Sequence, residues 1–309
     1  MTGVRLGAVG YLNARPHVFG LDRIPRFTLR FDVPSQCAAL LHCGEVDVGL
    51  IPSIEYLGGS YAIVPDVAIA SRGPVTSVML YTTRPMAEVR SIALDTSSRT
   101  SVALTRILCA REFHVQPVFE PRGPDLESML AYNDAALLIG DHALFTDTSR
   151  LTVHSRQLTA RCEPSTSTLH PSNHGQRSAE GQQSTGGPLS TVNRQLPIEA
   201  IDLGEVWTRM TGLPFVYAFW AGRPEALTPD DVLALQQARD AGVERIEEIS
   251  RQYFPGAPAR QQAGARYLRD NIKYHLGPEE RAGLELFYRY AAEARLVADT
   301  RELRFFEQA

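Results

Sequence analysis

The sequence predicts an α/β protein with two lobes. Its 309 residues exceed the usual size of one domain, and 44% of them are hydrophobic, which is enough to bury a substantial core. Short apolar runs typical of strands alternate along the chain with helical patterns. Two lobes built from such alternating elements are therefore the expected architecture.

Charge and hydropathy favour a small-molecule partner. The formal net charge is -4 and no run of like charge occurs, so neither nucleic acid nor a membrane surface is the predicted partner. No apolar run approaches the length of a membrane span. The first twenty residues carry Arg5, Asn13, Arg15 and His17 where an export signal needs apolar residues, so a cytoplasmic location is expected. No pattern predicts an oligomeric state.

Missing motifs exclude several classes of enzyme. Thirty arginines accompany one lysine, Lys273, which the pattern assigns to a helix without a glycine-rich phosphate loop. Nucleotide hydrolysis and Schiff-base chemistry are therefore disfavoured. The motifs H-E-x-x-H, G-x-S-x-G and G-x-G-x-x-G are absent, and the four cysteines have no metal or redox spacing, so they are predicted to be reduced thiols. We expect neither a metal nor a cofactor.

The first elements end in polar side chains. "VRLGAVGYL" predicts a strand that breaks into "NARP". "SQCAALLHCG" predicts a helix from an N-cap at Ser35 to a stop at Gly44. "VDVGLIPS" predicts a second strand with Ser53 at its carboxyl end, and ligand crevices in open α/β sheets lie at such ends.

The middle of the chain contains a helix start suited to an anion. "IVPDVAIAS" and "PVTSVMLYTT" predict strands, of which the second is a candidate to cross between lobes. "IALDTSSRTSVALTRILC" predicts a strand, a cluster of capping residues and a helix with Leu104, Ile107 and Leu108 on one apolar face. Free N–H groups and hydroxyls at this start suit a carboxylate or phosphate. Capping alone explains one or two of the polar residues in "TSSRTS" but hardly five in sequence.

A change of composition follows the next strand. "AALLIGDHALF" predicts a buried strand that ends at Gly140-Asp141. Residues 149–197 then hold fourteen Ser or Thr and two acidic residues with little apolar periodicity, which predicts a disordered insertion. Within it, His170 and His174 lie four residues apart, but the intervening Pro171 disfavours the helix that a metal pair would need.

The last third is predicted to be one strand followed by helices. "LPFVYAFWAG" is strongly apolar, and its first part, at Phe215, is a candidate to line a cleft. Thr228 opens a helix as a capping box with Pro229 at the first position. Helical patterns continue through "ARYLRDNIKYHLG" and "PEERAGLELFYRYAAEARL".

Taken in order, the stretches "GYLNARP", "VDVGLIPSIEY", "VAIASRGPVTSVMLYT", "ALDTSSRTSVALTRILC", "LLIGDHALF" and "DLGEVWTRMTGLPFVYAFWAGRP" closely resemble the chorismate dehydratase (MqnA) family of the futalosine route to menaquinone. The resemblance implies a two-lobed type II periplasmic-binding-protein-like fold with a ligand cleft between the lobes. It implies lobe 1 at residues 1–83 and 216–309 and lobe 2 at 84–215. Residues 149–197 depart from the family pattern and are expected to form a surface excursion.

The resemblance also implies a reaction that needs no cofactor. Chorismate loses its C4 hydroxyl and C3 proton to give 3-[(1-carboxyvinyl)oxy]benzoate and water, driven by aromatisation. The family's asparagine corresponds to Asn13, whose amide is expected to orient the enolpyruvyl group while the carboxylate of that group removes the proton. Asp141 and Asp95 are the alternative bases, although both also suit structural roles. The expected substrate contacts are Ser53, Ser77, Ser97, Ser98, Arg99, Thr100, Ser101, Gly140, Asp141 and Phe215.

Two other functions stay open. One is 1,4-dihydroxy-6-naphthoate synthase, an enzyme of the same pathway and fold, although "YLNARP" and "SSRTS" favour the dehydratase. The other is a small-anion receptor without catalytic activity, because a shared fold does not decide function.

Overall fold

A computed structural model describes residues 3–150 and 197–308. Its strands, in chain order, are β1 (Val4–Val9), β2 (Phe27–Asp32), β3 (Val48–Pro52), β4 (Ala62–Ile63), β5 (Ile69–Ser71), β6 (Val78–Thr82), β7 (Ser91–Asp95), β8 (Val118–Arg122), β9 (Ala135–Ile139), β10 (Glu199–Asp202) and β11 (Phe215–Gly222). The α-helices are α1 (Pro34–Cys43), α2 (Arg99–Arg111), α3 (Leu126–Tyr132), α4 (Gly140–Leu144), α5 (Leu203–Thr211), α6 (Pro229–Val243), α7 (Ile246–Tyr253), α8 (Pro258–Asp270) and α9 (Pro278–Glu293). Short 3-10 turns include Leu12–Val18 and Ser53–Gly58.

The first sheet combines both ends of the chain. Its order is β2-β1-β3-β11-β4, and β5 also pairs with β11. The strand β1 runs parallel to β2 and β3, whereas β11 is antiparallel to its neighbours. All residues of β3 and β11 are buried. Their continuous apolar runs are typical of strands covered on both faces.

The second sheet has the order β10-β6-β9-β7-β8. The strand β7 is parallel to β8 and β9, whereas β6 is antiparallel to β9 and β10. The helix α2 follows β7, and its Leu104, Ile107 and Leu108 are buried, as its periodicity predicts. The two sheets and their helices confirm the predicted α/β fold with two lobes.

Two neighbouring segments connect the lobes. The chain passes from β5 to β6 through residues 72–77 and returns from α5 to β11 through residues 212–214. Asp202, the N-cap of α5, accepts backbone N–H bonds from Val75 and Thr76, in addition to those from the first turn of its own helix. The Asp202 carboxylate therefore holds the connection between β5 and β6 against α5, the helix that leads into the return connection.

Local features differ from the sequence predictions at three places. The helix α1 starts at Pro34 after an extended Val33, so Ser35 is inside the first turn and is not the N-cap. The predicted strand over residues 63–71 is divided into β4 and β5, with Asp66 between them at a positive φ of 59°. Lys273 lies outside a helix, where its backbone pairs with that of Ala70.

The C-terminal helices cover the first sheet and the connections. Thr228 forms the predicted capping box, with Pro229 in the first turn of α6. Trp207 of α5 packs edge-on against Phe215 and Phe287 and donates its indole N–H to the carbonyl of Pro214 at 3.2 Å. Aromatic packing therefore surrounds the return connection.

The lobe boundaries expected from the resemblance stay a prediction. The strand β6 falls within the range 1–83 assigned to lobe 1, yet it pairs in the second sheet. The predicted disordered insertion falls mainly on residues 151–196, which lie outside the described residues.

Candidate active site

A cavity lies between the two sheets. The carboxyl ends of the parallel strands β1, β3, β7 and β9 lead to residues that line it, which is the expected position for a ligand site in α/β sheets. The cavity is narrow, with a volume of about 40 Å³. Its lining residues are Val9, Tyr11, Asn13, Pro34, Pro52, Ile69, Ser77, Val78, Ser98, Ser101, Ile139, Gly140, Tyr217 and Ala218.

One end of the cavity is the start of α2. Ser98 is the N-cap, and its Oγ accepts from the backbone N–H of Ser101 at 3.5 Å and from the Ser101 hydroxyl at 3.2 Å. These acceptor roles leave the hydrogen of Ser98 free to donate elsewhere. A helix N-terminus carries partial positive charge, so hydroxyl donors at this position suit a carboxylate.

Asn13 and Ser77 also line the cavity, and Tyr267 lies behind Ser77. The Tyr267 hydroxyl donates to Ser77 Oγ at 2.7 Å. Burial raises the pKa of Tyr267, and the hydrogen bonds with Ser77 and Asn13 oppose that rise. Asn13 Oδ1 is buried and has no partner among the described residues. The cavity wall therefore contains a free acceptor, Asn13 Oδ1, and a hydroxyl, that of Ser77, which accepts a hydrogen bond from Tyr267.

Two aromatic side chains complete the cavity. Tyr11 follows β1, and burial raises the pKa of its phenol. A Cβ on Gly140 would lie 2.8 Å from two ring carbons of Tyr11, and Gly140 has a positive φ of 62°. Tyr217 of β11 contacts the Ser71 hydroxyl at 3.1 Å. Only glycine at position 140 allows Tyr11 to approach so closely.

Ser53 and Thr100 lie beneath the cavity, as a contact between the lobes. Both side chains are fully buried. Ser53 Oγ donates to the carbonyl of Val216 at 2.8 Å and lies 3.3 Å from Thr100 Oγ1, which accepts the backbone N–H of Ile54 at 3.1 Å. Neither residue lines the cavity, and their polar atoms have protein partners.

Arg99 points to the outside of the molecule. Its guanidinium pairs with Glu55 of the first lobe at 2.9 Å, and the same carboxylate contacts His42 at 2.9 Å. Arg99 and Glu55 line a separate, larger groove on the surface. The sequence expectation that Arg99 contacts substrate is therefore not supported by its position.

Ser97 and Asp95 bond mainly to each other. Asp95 Oδ1 accepts from the Ser97 backbone N–H at 3.0 Å and from its hydroxyl at 2.6 Å. Ser97 Oγ also lies 3.4 Å from the Tyr11 hydroxyl, so it contacts the cavity through that ring. Asp95 Oδ2 is buried without a partner among the described residues.

Asp141 connects the lobes at the edge of the cavity. Its carboxylate accepts the backbone N–H of Leu12 at 3.2 Å and the hydroxyl of Tyr253. Burial raises the pKa of Asp141, and these two hydrogen bonds oppose the rise. Both oxygens already have partners from the first lobe, which is a structural role for this carboxylate.

Arg15 and Phe215 lie behind the cavity wall. The Arg15 guanidinium donates to the carbonyl of Gly10 at 3.1 Å and stacks over the rings of Phe31 and Tyr253. Phe215 is fully buried, and its ring packs against Tyr217 with centroids 4.8 Å apart. Phe215 therefore supports the tyrosine that reaches the cavity.

The sequence did not indicate three tyrosines at the site. Tyr11 and Tyr217 stand inside apolar runs that predict core strands, and Tyr267 stands in a helical pattern that predicts packing. A hydroxyl on an otherwise apolar face was the available signal for Tyr267, but the same pattern is common in cores.

Residues 3–150 and 197–308 contain neither a metal-binding cluster nor a membrane-spanning helix. No group of three or more His, Cys, Asp or Glu side chains in this part of the chain is arranged to hold a metal ion. None of its helices combines the length and apolar character that crossing a bilayer requires. His170 and His174 lie outside the described residues.

Solved structures share this architecture. A protein from Archaeoglobus fulgidus aligns with a TM-score of 0.63 at 12% identity, covering 96% of this chain and 98% of its own. The periplasmic aliphatic sulphonate binding protein of Escherichia coli gives 0.58 at 14% identity, covering 100% and 93%. The alkanesulfonate-binding protein of Xanthomonas axonopodis pv. citri bound to MOPS gives 0.55 at 12%, covering 96% and 94%. The chain thus has the two-lobed fold of periplasmic binding proteins.

Sequence relatives define the family. A family model described as menaquinone biosynthesis matches residues 4–161 and 189–293. A chorismate dehydratase of Thermus thermophilus is 32% identical over 286 residues, which are 91% of this chain and 93% of that protein. The protein belongs to the menaquinone biosynthesis family, which confirms the family expected from the sequence.

Proposed function

We propose that this protein converts chorismate to 3-[(1-carboxyvinyl)oxy]benzoate and water, as a hydro-lyase of the futalosine route to menaquinone. The family match and the 32% identity to a chorismate dehydratase support this reaction. In the elimination, the C3–H bond breaks and its electron pair forms the C3–C4 double bond. The C4–O bond breaks, and the departing hydroxide takes up the proton that the enolpyruvyl carboxylate removed from C3, which gives water and returns the carboxylate to its ionised form.

The observation that carries the proposal is the composition of the cavity wall. Among the described residues that line the cavity, none is Asp, Glu, His, Lys or Arg. Tyr11 and Tyr217 are the titratable groups there, and burial raises the pKa of each phenol, so both are protonated near neutral pH. A cavity wall without a deprotonated general base favours a substrate that carries the base itself, and the enolpyruvyl carboxylate of chorismate is such a base.

The two ends of the cavity suit the two carboxylates of chorismate. The Ser98 hydroxyl, whose hydrogen is free, and the partial positive charge of the helix start suit the ring carboxylate. Asn13 and Ser77, which also line the cavity, would then hold the part of the substrate where the bonds break. Fixing a flexible enolpyruvyl group beside C3 supplies much of the catalysis by positioning.

The decisive experiment mixes purified protein with chorismate and follows the product by mass spectrometry and by the absorbance of the new aromatic ring. We expect one product that has lost one water. Tight binding of chorismate without turnover would show that the protein is an anion receptor and not an enzyme. No reaction with chorismate, but turnover of a cyclic futalosine product, would favour the naphthoate synthase.

Variants separate the candidate bases. Asn13→Ala should lower kcat by about 100-fold or more while KM for chorismate changes only a few-fold, since a pre-organised amide acts mainly in the transition state. Asp95→Asn and Asp141→Asn should each keep kcat within about tenfold, because the substrate carboxylate removes the proton. A loss with either variant as large as that with Asn13→Ala, in a folded protein, would make that aspartate the base.

A further inference from the structure

Two polar groups of the cavity wall, Ser77 and Asn13, have opposite hydrogen-bonding roles. Tyr267 of α8 is 3% exposed, and its hydroxyl donates to Ser77 Oγ at 2.7 Å. A hydroxyl has one hydrogen, so this bond fixes Ser77 as the acceptor towards Tyr267. The Ser77 hydrogen is left to donate on the side where Ser77 lines the cavity.

Asn13 has the complementary orientation. Its Oδ1 is buried and has no partner among the described residues, so this oxygen is free to accept a hydrogen bond from a ligand. A buried acceptor without a partner is unfavourable, and a ligand hydroxyl would remove that penalty.

We propose that Tyr267 is a positioning residue that makes Ser77 a donor towards the substrate, in a cavity where Asn13 Oδ1 is the free acceptor. The site then selects a ligand with a hydroxyl opposite Asn13 and an oxygen acceptor opposite Ser77. Applied to the proposed function, on which this inference rests, Asn13 holds the C4 hydroxyl that leaves and Ser77 holds the enolpyruvyl group. This assignment refines the expectation that the Asn13 amide orients the enolpyruvyl group.

The test compares Tyr267→Phe with Tyr274→Phe. Both changes remove one buried hydroxyl and keep the ring, but the Tyr274 hydroxyl donates to the backbone carbonyl of Leu268, away from the cavity. We expect Tyr267→Phe to lower kcat for chorismate by about 10- to 100-fold, and Tyr274→Phe to lower it by less than about threefold. The double variant with Ser77→Ala should fall no more than about threefold below Ser77→Ala alone, since Tyr267 acts through Ser77.

A binding measurement distinguishes this inference from the proposed function. The product, 3-[(1-carboxyvinyl)oxy]benzoate, keeps the enolpyruvyl group that Ser77 holds, so Tyr267→Phe should weaken the binding of product and of chorismate by similar factors, whereas Tyr274→Phe should weaken neither. If the wild type turns chorismate over and Tyr267→Phe behaves like Tyr274→Phe, the role of Tyr267 is wrong and the function stands. If the wild type only binds chorismate, calorimetry of Tyr267→Phe and Tyr274→Phe with both compounds still tests the role of Tyr267, and the dehydratase function alone fails. Binding of neither compound by the wild type overturns both.

Discussion

His17 makes the stability of this protein depend on pH in a way that one substitution should remove. The imidazole lies in the turn Leu12–Val18, is fully buried, and has no partner for either ring nitrogen among the described residues. Burial, with a further contribution from the positive charge of Arg239, lowers the pKa of His17 from 6.5 to about 3. The folded protein therefore keeps this ring neutral at every pH above about 4.

The sign follows from proton uptake by the unfolded chain. Between pH 7.5 and pH 5 the unfolded chain protonates this histidine with its ordinary pKa, whereas the folded protein does not. The free energy of unfolding from this group therefore decreases as the pH falls through 6.5. At pH 5 the loss is about 2 kcal/mol relative to pH 7.5, and it continues to grow until the pH reaches about 3.

Urea unfolding followed by tryptophan fluorescence measures this loss, because Trp207 and Trp220 are both fully buried. The difference in unfolding free energy between pH 7.5 and pH 5 should be about 2 kcal/mol smaller for His17→Leu than for the wild type. The control His114→Asn changes an exposed histidine at a positive φ of 54°, which asparagine tolerates, and should leave the difference unchanged. Equal pH dependence in the wild type and His17→Leu would refute the reasoning.

Three further predictions follow from the fold. Gly140→Ala should lower the free energy of unfolding by about 1–2 kcal/mol and also reduce turnover, because the added methyl is strained at positive φ and displaces Tyr11. Unchanged thermal unfolding and unchanged kinetics would contradict the packing of Tyr11 against Gly140. Asp202→Ala should destabilise by about 2–3 kcal/mol in thermal or urea unfolding, since it removes the α5 cap and the acceptor for Val75, whereas Asp202→Asn keeps one acceptor and should lose less. Deleting residues 149–197 should leave kcat/KM for chorismate within about threefold, as the family model leaves 162–188 unmatched; a folded but inactive product would give the segment a role in the reaction.

Periodicity and caps predicted the elements, because those signals are local. The Ser/Thr cluster before α2 is an N-cap as expected, and the buried strand before Gly140 ends where its pattern ends. Which side chains of this cluster face the cavity was not predictable from composition. Successive helical residues rotate by about 100°, so Ser98 and Ser101 share one face while Arg99 and Thr100 point elsewhere.

Tertiary contacts decided the rest of the site. Tyr267 reaches Ser77 across 190 positions of sequence, and no local pattern encodes such a pair. Arg99 was expected to face an anion, but the carboxylate of Glu55 lies within 2.9 Å and holds it on the outside. Where a charged side chain points depends on which partner the fold brings near, so the residue type alone is a weak guide.

The hydroxyl contact between Ser53 and Thr100 has a consequence for how the family varies. Thr100 Oγ1 accepts the N–H of Ile54 from the other lobe, and Ser53 Oγ, which donates to Val216 of its own sheet, lies 3.3 Å from Thr100 Oγ1. Loss of either hydroxyl removes a hydrogen-bond partner from a polar atom of the other lobe, so substitutions at positions 53 and 100 should be inherited together. In an alignment of relatives, coupled change at 53 and 100 would then record the docking of one lobe on the other, and invariance at both would not by itself identify a substrate contact.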